Sequence, residues 1–292
     1  DSAEGGELHE GAERSARSVA EGGLDRAARV FVAGHRGLLG RALMRRLGAA
    51  GFAHVMTADH AALDLTDGSA VRDFFDRERP DYVLLAAARV GGIVANQRHP
   101  VDFLTTNLAI ELAVLGAADT VETKGLVLFG SSCMYPREAA QPMREDALYG
   151  GPLEPTSQAY AVSKLAGLEL CRAYRRERGR RFFAMVPATL YGPCDHFGME
   201  RAHVIPALMT RFHEARVQRA PSVTVLGSGR PLREFLHCDD AADAALFLLG
   251  CGEELDLINA GSGDEVSIGE LAREIASVVG YRGEIRFDAS AP

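Results

Sequence analysis

Apolar positions along this chain alternate between two spacings. Val30-Phe31-Val32-Ala33 is a short unbroken apolar run of the kind that forms a strand buried on both faces. Glycines follow it, and then a helical spacing that reaches about Leu47. Residues 54–58, 82–86, 126–129 and 182–186 repeat the strand pattern, and 101–118 and 158–178 read as long helices. Asp67 or Ser69 is placed to cap a further helix that must stop before Pro80. Strands alternating with helices predict right-handed crossovers and an α/β fold, a doubly wound parallel sheet covered on both faces. Beyond Pro187 the pattern loosens, with a helix at 204–215 and a strand at 223–226. The expected organisation is therefore a flexible leader at 1–27, a dinucleotide-binding domain at 28–187, and a smaller lobe, mainly substrate-binding, at 188–292.

Gly34-x-x-Gly37-x-x-Gly40 lies between the first strand and the first helix. Glycines there permit a tight turn and let the backbone approach a pyrophosphate resting on the helix N-terminus, as in a Rossmann-like sheet. The spacing is that of extended short-chain dehydrogenases rather than ordinary ones. At the end of the second strand the signals are mixed. Arg36 in the loop favours a ribose 2′-phosphate, whereas Asp59 offers an acid for a 2′-hydroxyl or serves as a turn residue.

Tyr160 and Lys164 stand at i and i+4 on one helical face, where a neighbouring cation would favour phenolate. Ser131 and Ser132 follow a buried strand and either hydrogen-bond a substrate carbonyl or cap the turn. Cys133 at the same strand end is a base when its thiol is activated, and otherwise a small buried filler. His203 is either the matching acid or a helix N-terminal residue. Arg175, Arg176, Arg178, Arg180 and Arg181 crowd one predicted helix end, where cations complement the dipole and stay solvated.

Composition narrows the field. The 292 residues are 47% hydrophobic and 25% charged, enough to bury a core without disulfides or metal. Forty acids against 32 basic side chains give a net charge of -8, which argues against nucleic acid as a partner. The five cysteines are too widely spaced for a zinc ribbon or redox pair, so no metal site is expected, and their odd number suits a reducing, cytoplasmic compartment. Unbroken apolar runs such as 82–88 fall far short of a membrane span, and no secretory pattern opens the chain. The first 27 residues hold seven acids, three arginines and few large aliphatics, so they cannot offset the entropy of ordering. Without an initiator Met, the sequence is expected to start inside a longer reading frame.

Several longer stretches resemble the GDP-L-fucose synthase family of extended short-chain dehydrogenases. They are Val-Phe-Val-Ala-Gly-His-Arg-Gly at 30–37, Val-Gly-Gly-Ile-Val-Ala-Asn at 90–96 and Gly-Ser-Ser-Cys-Met-Tyr-Pro at 130–136. Leu-Glu-Pro-Thr at 153–156, His-Val-Ile-Pro-Ala-Leu at 203–208 and Pro-Leu-Arg-Glu-Phe-Leu-His at 231–237 complete the set. The resemblance implies 3,5-epimerisation and NADPH-dependent 4-reduction of GDP-4-keto-6-deoxy-D-mannose. It assigns Cys133 as base, His203 as acid, Tyr160 as proton donor in the reduction, Lys164 as its partner and Ser131 as the group positioning the keto oxygen. NADP(H), or alternatively NAD(H), would be held by Gly34, His35, Arg36, Gly37, Leu38, Leu39, Gly40, His60, Asp64 and Leu65. Gly130, Ser131, Ser132, Lys164, Pro187, Ala188, Thr189, Leu190 and His203 complete that set. Arg211, Leu226 and Arg233 would contact the nucleotide sugar, and the long helices would form a homodimer. Leu226 replaces a family Trp, His60 a family Arg, and Thr189 a family Asn. The chain stops at Pro292, where the family continues. Other nucleotide-sugar enzymes of the fold, such as 4-epimerases or 4,6-dehydratases, need no Cys133–His203 pair, and dinucleotide sensors tend to lose the Tyr–Lys pair.

Overall fold

The computed structural model describes residues 23–197, 202–252 and 254–290. The leader expected at 1–27 thus lies outside the described residues up to 22. The chain divides into two compact units. The first takes the chain up to Pro187 together with Cys238–Ala260, and the second comprises Ala188–His237 and Gly261 onward.

In the first unit the strands are β1 (Arg29–Ala33), β2 (His54–Met56), β3 (Tyr82–Leu85), β4 (Gly125–Phe129), β5 (Phe182–Pro187) and β9 (Leu257–Ala260). They form one parallel sheet in the order β2-β1-β3-β4-β5-β9. Its helices are α1 (Leu38–Ala49), α2 (Gly68–Glu78), α3 (Ile93–Arg98), α4 (Pro100–Thr120), α5 (Gln158–Arg178) and α7 (Cys238–Gly250). Central strands are apolar throughout because both faces are covered, and β4 is buried at every position. Phe31 packs on Phe74 and Phe75, and below them Leu85, Leu126, Leu128 and Phe182 continue the core. Strand order reverses between β1 and β3, and in open α/β sheets ligands bind beyond the strand ends at such a point. Asp67 caps α2 through the backbone N–H groups of Ser69 and Ala70, and the left-handed Arg79 ends it before Pro80.

The second unit contains β6 (Thr189–Tyr191), α6 (Val204–Gln218), β7 (Ser222–Leu226), β8 (Leu232–His237), β10 (Glu265–Ser267), α8 (Ile268–Val279) and β11 (Glu284–Asp288). Its strands pair as β10-β8-β6 and as β11-β7. Phe212, Val225, Leu271, Ile275 and Tyr281 form its core, and Ser267 with Glu270 closes a reciprocal cap on α8.

Three expectations change. Cys238–Ala260 returns to the first unit, because β9 pairs with β5 and α7 is tied to α1 by Arg45–Asp239 and Arg46–Asp243, each at 2.5 Å. Most of the arginine cluster is not merely solvated. Arg178 and Arg180 both grip the buried Asp119 at the end of α4, Arg175 bonds Asp256 at 2.8 Å, and Arg181 donates to the Leu248 and Leu249 carbonyls. Finally, α4 is, by length and composition, long and apolar enough to cross a membrane. Interspersed acids hid this from a search for unbroken runs. Two of those acids, Glu111 and Asp119, are buried and ion-paired within the unit, and α4 packs as a core helix against α2 and α5.

Candidate active site

The glycine loop joins β1 to α1 at the sheet's switch point. Gly34 has φ +87°, and a Cβ there would lie 2.6 Å from the Ala87 nitrogen on the chain leaving β3. A Cβ on Gly40 would sit 2.0 Å from the Gly34 carbonyl oxygen, so α1 can start this close to the strand only with glycine. Gly37 is the N-cap of α1, with no side chain bonded to the helix end and no acid in the first turn. The free N–H groups and the positive end of the dipole suit an anion.

Beside this loop a cleft of about 540 Å³ is lined by His35, Arg36, Thr57, Asp59, Leu63 and Arg77, among others. Asp59 pairs with Arg36 at 2.5 Å and with His35 at 3.2 Å. His60, expected in this role, is 83% exposed at its side chain and lies 3.9 Å from Asp64. Neither His60, Asp64 nor Leu65 lines the cleft. The Asp64 carboxylate instead accepts from the backbone and hydroxyl of Thr66, which lowers its pKa. The loop and cleft together fit a dinucleotide: a cradle for pyrophosphate, then a guanidinium and an acid where the adenosine ribose would lie.

The chemistry-bearing residues gather past the end of β4. Gly130 leads into Ser131, and a single 3-10 turn, Ser132–Met134, carries Cys133. The Ser131 hydroxyl accepts from the Cys133 N–H at 3.3 Å and is hydrogen-bonded to the Tyr160 phenol on α5. Phe103 of α4 meets the Tyr160 ring edge-on at 6.4 Å between centroids. One turn after Tyr160, the Lys164 ammonium contacts Glu111 of α4 at 3.1 Å, with side-chain exposures of 3% and 1%.

Burial, the neighbouring Cys133 and Glu111 push the Tyr160 phenol above its ordinary value, against the smaller opposing effect of the Ser131 hydrogen bond. Lys164, expected to favour phenolate together with an oxidised nicotinamide, is paired here with Glu111, whose carboxyl is itself pushed up by burial against the pull of the lysine. Glu111 and Asn107 went unrecognised in the sequence. Asn107 clamps the backbone of Arg89 through both its amide oxygen and its nitrogen, fixing the segment after β3.

A family model described as the NAD dependent epimerase/dehydratase family matches residues 30–261. The chain belongs to that family. Among the family's members, GDP-L-fucose synthase 1 of Arabidopsis thaliana is 49% identical over 268 residues, 92% of this chain and 83% of that protein. GDP-L-fucose synthase of Escherichia coli K12 is 48% identical over 273 residues, 90% of this chain and 85% of that protein. A solved GDP-L-fucose synthetase from Naegleria fowleri bound to NADP is 30% identical, with a TM-score of 0.83, and 92% of this chain covers 83% of it. The doubly wound parallel sheet expected from the strand–helix alternation is the fold observed.

The remaining expected site residues are carried by other elements. Pro187 ends β5 in the first unit, whereas Thr189 and Leu190 begin β6 in the second. His203 is the exposed N-cap of α6, with no side-chain capping bond. Arg211 on α6 donates to the Thr224 carbonyl of β7 at 3.1 Å, and Leu226, 54% exposed, ends that strand. Arg233 projects from β8, where its guanidinium donates to the Leu232 carbonyl at 2.7 Å.

Proposed function

We propose that this chain converts GDP-4-keto-6-deoxy-D-mannose to GDP-L-fucose, by epimerisation at C3 and C5 followed by NADPH-dependent reduction at C4. The observation that carries the reading is the convergence of Ser131, Cys133, Tyr160 and Lys164 in the unit that also holds the glycine loop. Its relatives' names support the substrate.

The 4-keto group acidifies the protons at C3 and C5, and a base removes each in turn. Cys133 is assigned as that base. Inversion requires a proton returned to the opposite face, and His203 is assigned as that acid. Bound NADPH contributes the hydride that reduces C4. The residues fit to hold it are the 34–40 loop for the pyrophosphate, Arg36 and His35 for the phosphorylated ribose, and Lys164 for the nicotinamide ribose. As C4 is reduced, the Tyr160 phenol donates its proton to the emerging alkoxide, and the Ser131 hydroxyl fixes the keto oxygen by a hydrogen bond. A phenol kept protonated by its surroundings suits this direction of transfer.

Arg211 and Arg233 are assigned to the diphosphate, which a guanidinium recognises by paired hydrogen bonds. The chain is further read as a cytoplasmic homodimer joined through α4 and α5. None of the five cysteines forms a disulfide, and Val101 and Leu112 on α4 expose 69% and 57% of their surfaces. Light scattering should give twice the chain mass, and a monomer at all concentrations would remove the dimer.

The test of function is parallel oxidation of NADPH and NADH with the keto sugar. Net consumption of cofactor matching product, faster with NADPH, is expected. Turnover without net consumption would instead indicate a 4-epimerase or 4,6-dehydratase.

A further inference from the structure

Glu111 sits in the middle of α4 between apolar neighbours, 1% exposed, in a helix otherwise built for the core. An isolated carboxylate there would be strongly disfavoured. One of its oxygens lies 3.1 Å from the Lys164 ammonium, and the other, Oε2, is buried with no hydrogen-bond partner. A salt bridge of this kind adds little stability over well-packed apolar residues. The opposing helix is shaped around it. Gly167, three residues after Lys164 on α5, leaves space that a Cβ would take, 2.6 Å from Glu111 Oε2.

We propose that Glu111 is a positioning residue for the reduction: its carboxylate fixes the Lys164 ammonium and balances its charge, so that Tyr160 keeps the proton it must deliver. The inference deepens the function proposed above and rests on it. The groups facing this pair are Tyr160 and Cys171 on α5, Cys133 and Ser131 past β4, and Arg175 with Asp256 beyond Cys171. Burial pushes the Glu111 carboxyl above its ordinary value and the Lys164 ammonium pulls it back; with Glu111 ionised beside that ammonium and Tyr160 neutral, the buried trio carries no net charge. Replacing the acid by an amide leaves it at plus one. A buried cluster relieves such a charge by releasing a proton at lower pH. That loss removes a form of the site that reduction requires.

The experiment compares wild type with Glu111→Gln, Glu111→Asp and Gly167→Ala. In Glu111→Gln the basic limb of kcat for NADPH oxidation should move down by about one pH unit, a tenfold loss on that limb. KM for the keto sugar should change little, and deuterium exchange at C3 and C5, which does not use Tyr160, should persist. Glu111→Asp keeps the charge and should restore most of the profile, whereas Gly167→Ala, which crowds the carboxylate, should reproduce part of the shift. A second readout needs neither cofactor nor substrate. The cluster in Glu111→Gln binds fewer protons folded than unfolded at alkaline pH. Its stability deficit in urea should therefore shrink from about pH 7 to about pH 9.

A pH-independent deficit, with an unshifted rate profile and equal loss of exchange and reduction, would overturn the proposal and leave the pair a structural one. Wild-type turnover separates the two readings. If wild type fails to oxidise NADPH, the function falls and the urea series alone decides the charge balance.

Discussion

Cys133 and Tyr160 lie within one turn and one helix of each other, both beside Ser131, yet the proposed chemistry divides them cleanly. Cys133→Ser should abolish deuterium wash-in at C3 and C5 while leaving NADPH binding unchanged by fluorescence titration. Wash-in at the wild-type rate would remove Cys133 from the mechanism. Tyr160→Phe should do the reverse, blocking net NADPH oxidation by about 100-fold or more, as loss of a proton-transfer group does, with exchange retained. These residues were legible in the sequence because a phenol and an ammonium at i, i+4 and a Ser-Ser-Cys run after an apolar strand have recognisable spacing. Glu111 was not, since its partner is 53 residues away and a single acid in an apolar helix carries no periodic signal. His60 was read into the cofactor cleft from its place after the second strand. The backbone there instead turns Asp59 toward Arg36 and His35 and leaves His60 facing solvent.

Among the elements, the end of α5 shows how charge locks one helix to another. Burial acts to raise the Asp119 carboxyl, but hydrogen bonds from Arg180 and Arg178 outweigh it and hold that carboxyl below its ordinary value. A depressed folded value stabilises above the unfolded pKa near ~3.9 and loses that contribution as pH falls through the folded value. Asp119→Asn should therefore cost about 1–3 kcal/mol at neutral pH by urea unfolding, and the difference should close as pH falls through the folded value. A deficit of equal size across that range would assign Asp119 a packing role instead. Most strands and helices were readable within a few residues, because unbroken apolar runs and caps such as Asp67 act locally. The cross-links of the arginine cluster were not, because each depends on partners that only the fold brings near, Asp119 on α4 and Asp256 beside β9.

For the whole molecule, the parallel sheet follows from strand–helix alternation, and its switch point places the glycine loop where a dinucleotide is expected to bind. The break after Pro187 coincides with the point where the apolar pattern loosens. The return of Cys238–Ala260 to the first unit has no such local signature, since strand order in a sheet is settled by pairing across the chain. The account of the molecule as an epimerase and reductase in one chain is tested most directly by a single turnover in D₂O with NADPH and GDP-4-keto-6-deoxy-D-mannose, reading the product by mass and NMR. The predicted product is GDP-L-fucose carrying deuterium at both C3 and C5, with protium from the cofactor at C4. A product reduced at C4 without solvent deuterium at C3 and C5, or a sugar labelled there while NADPH stays unconsumed, would contradict it.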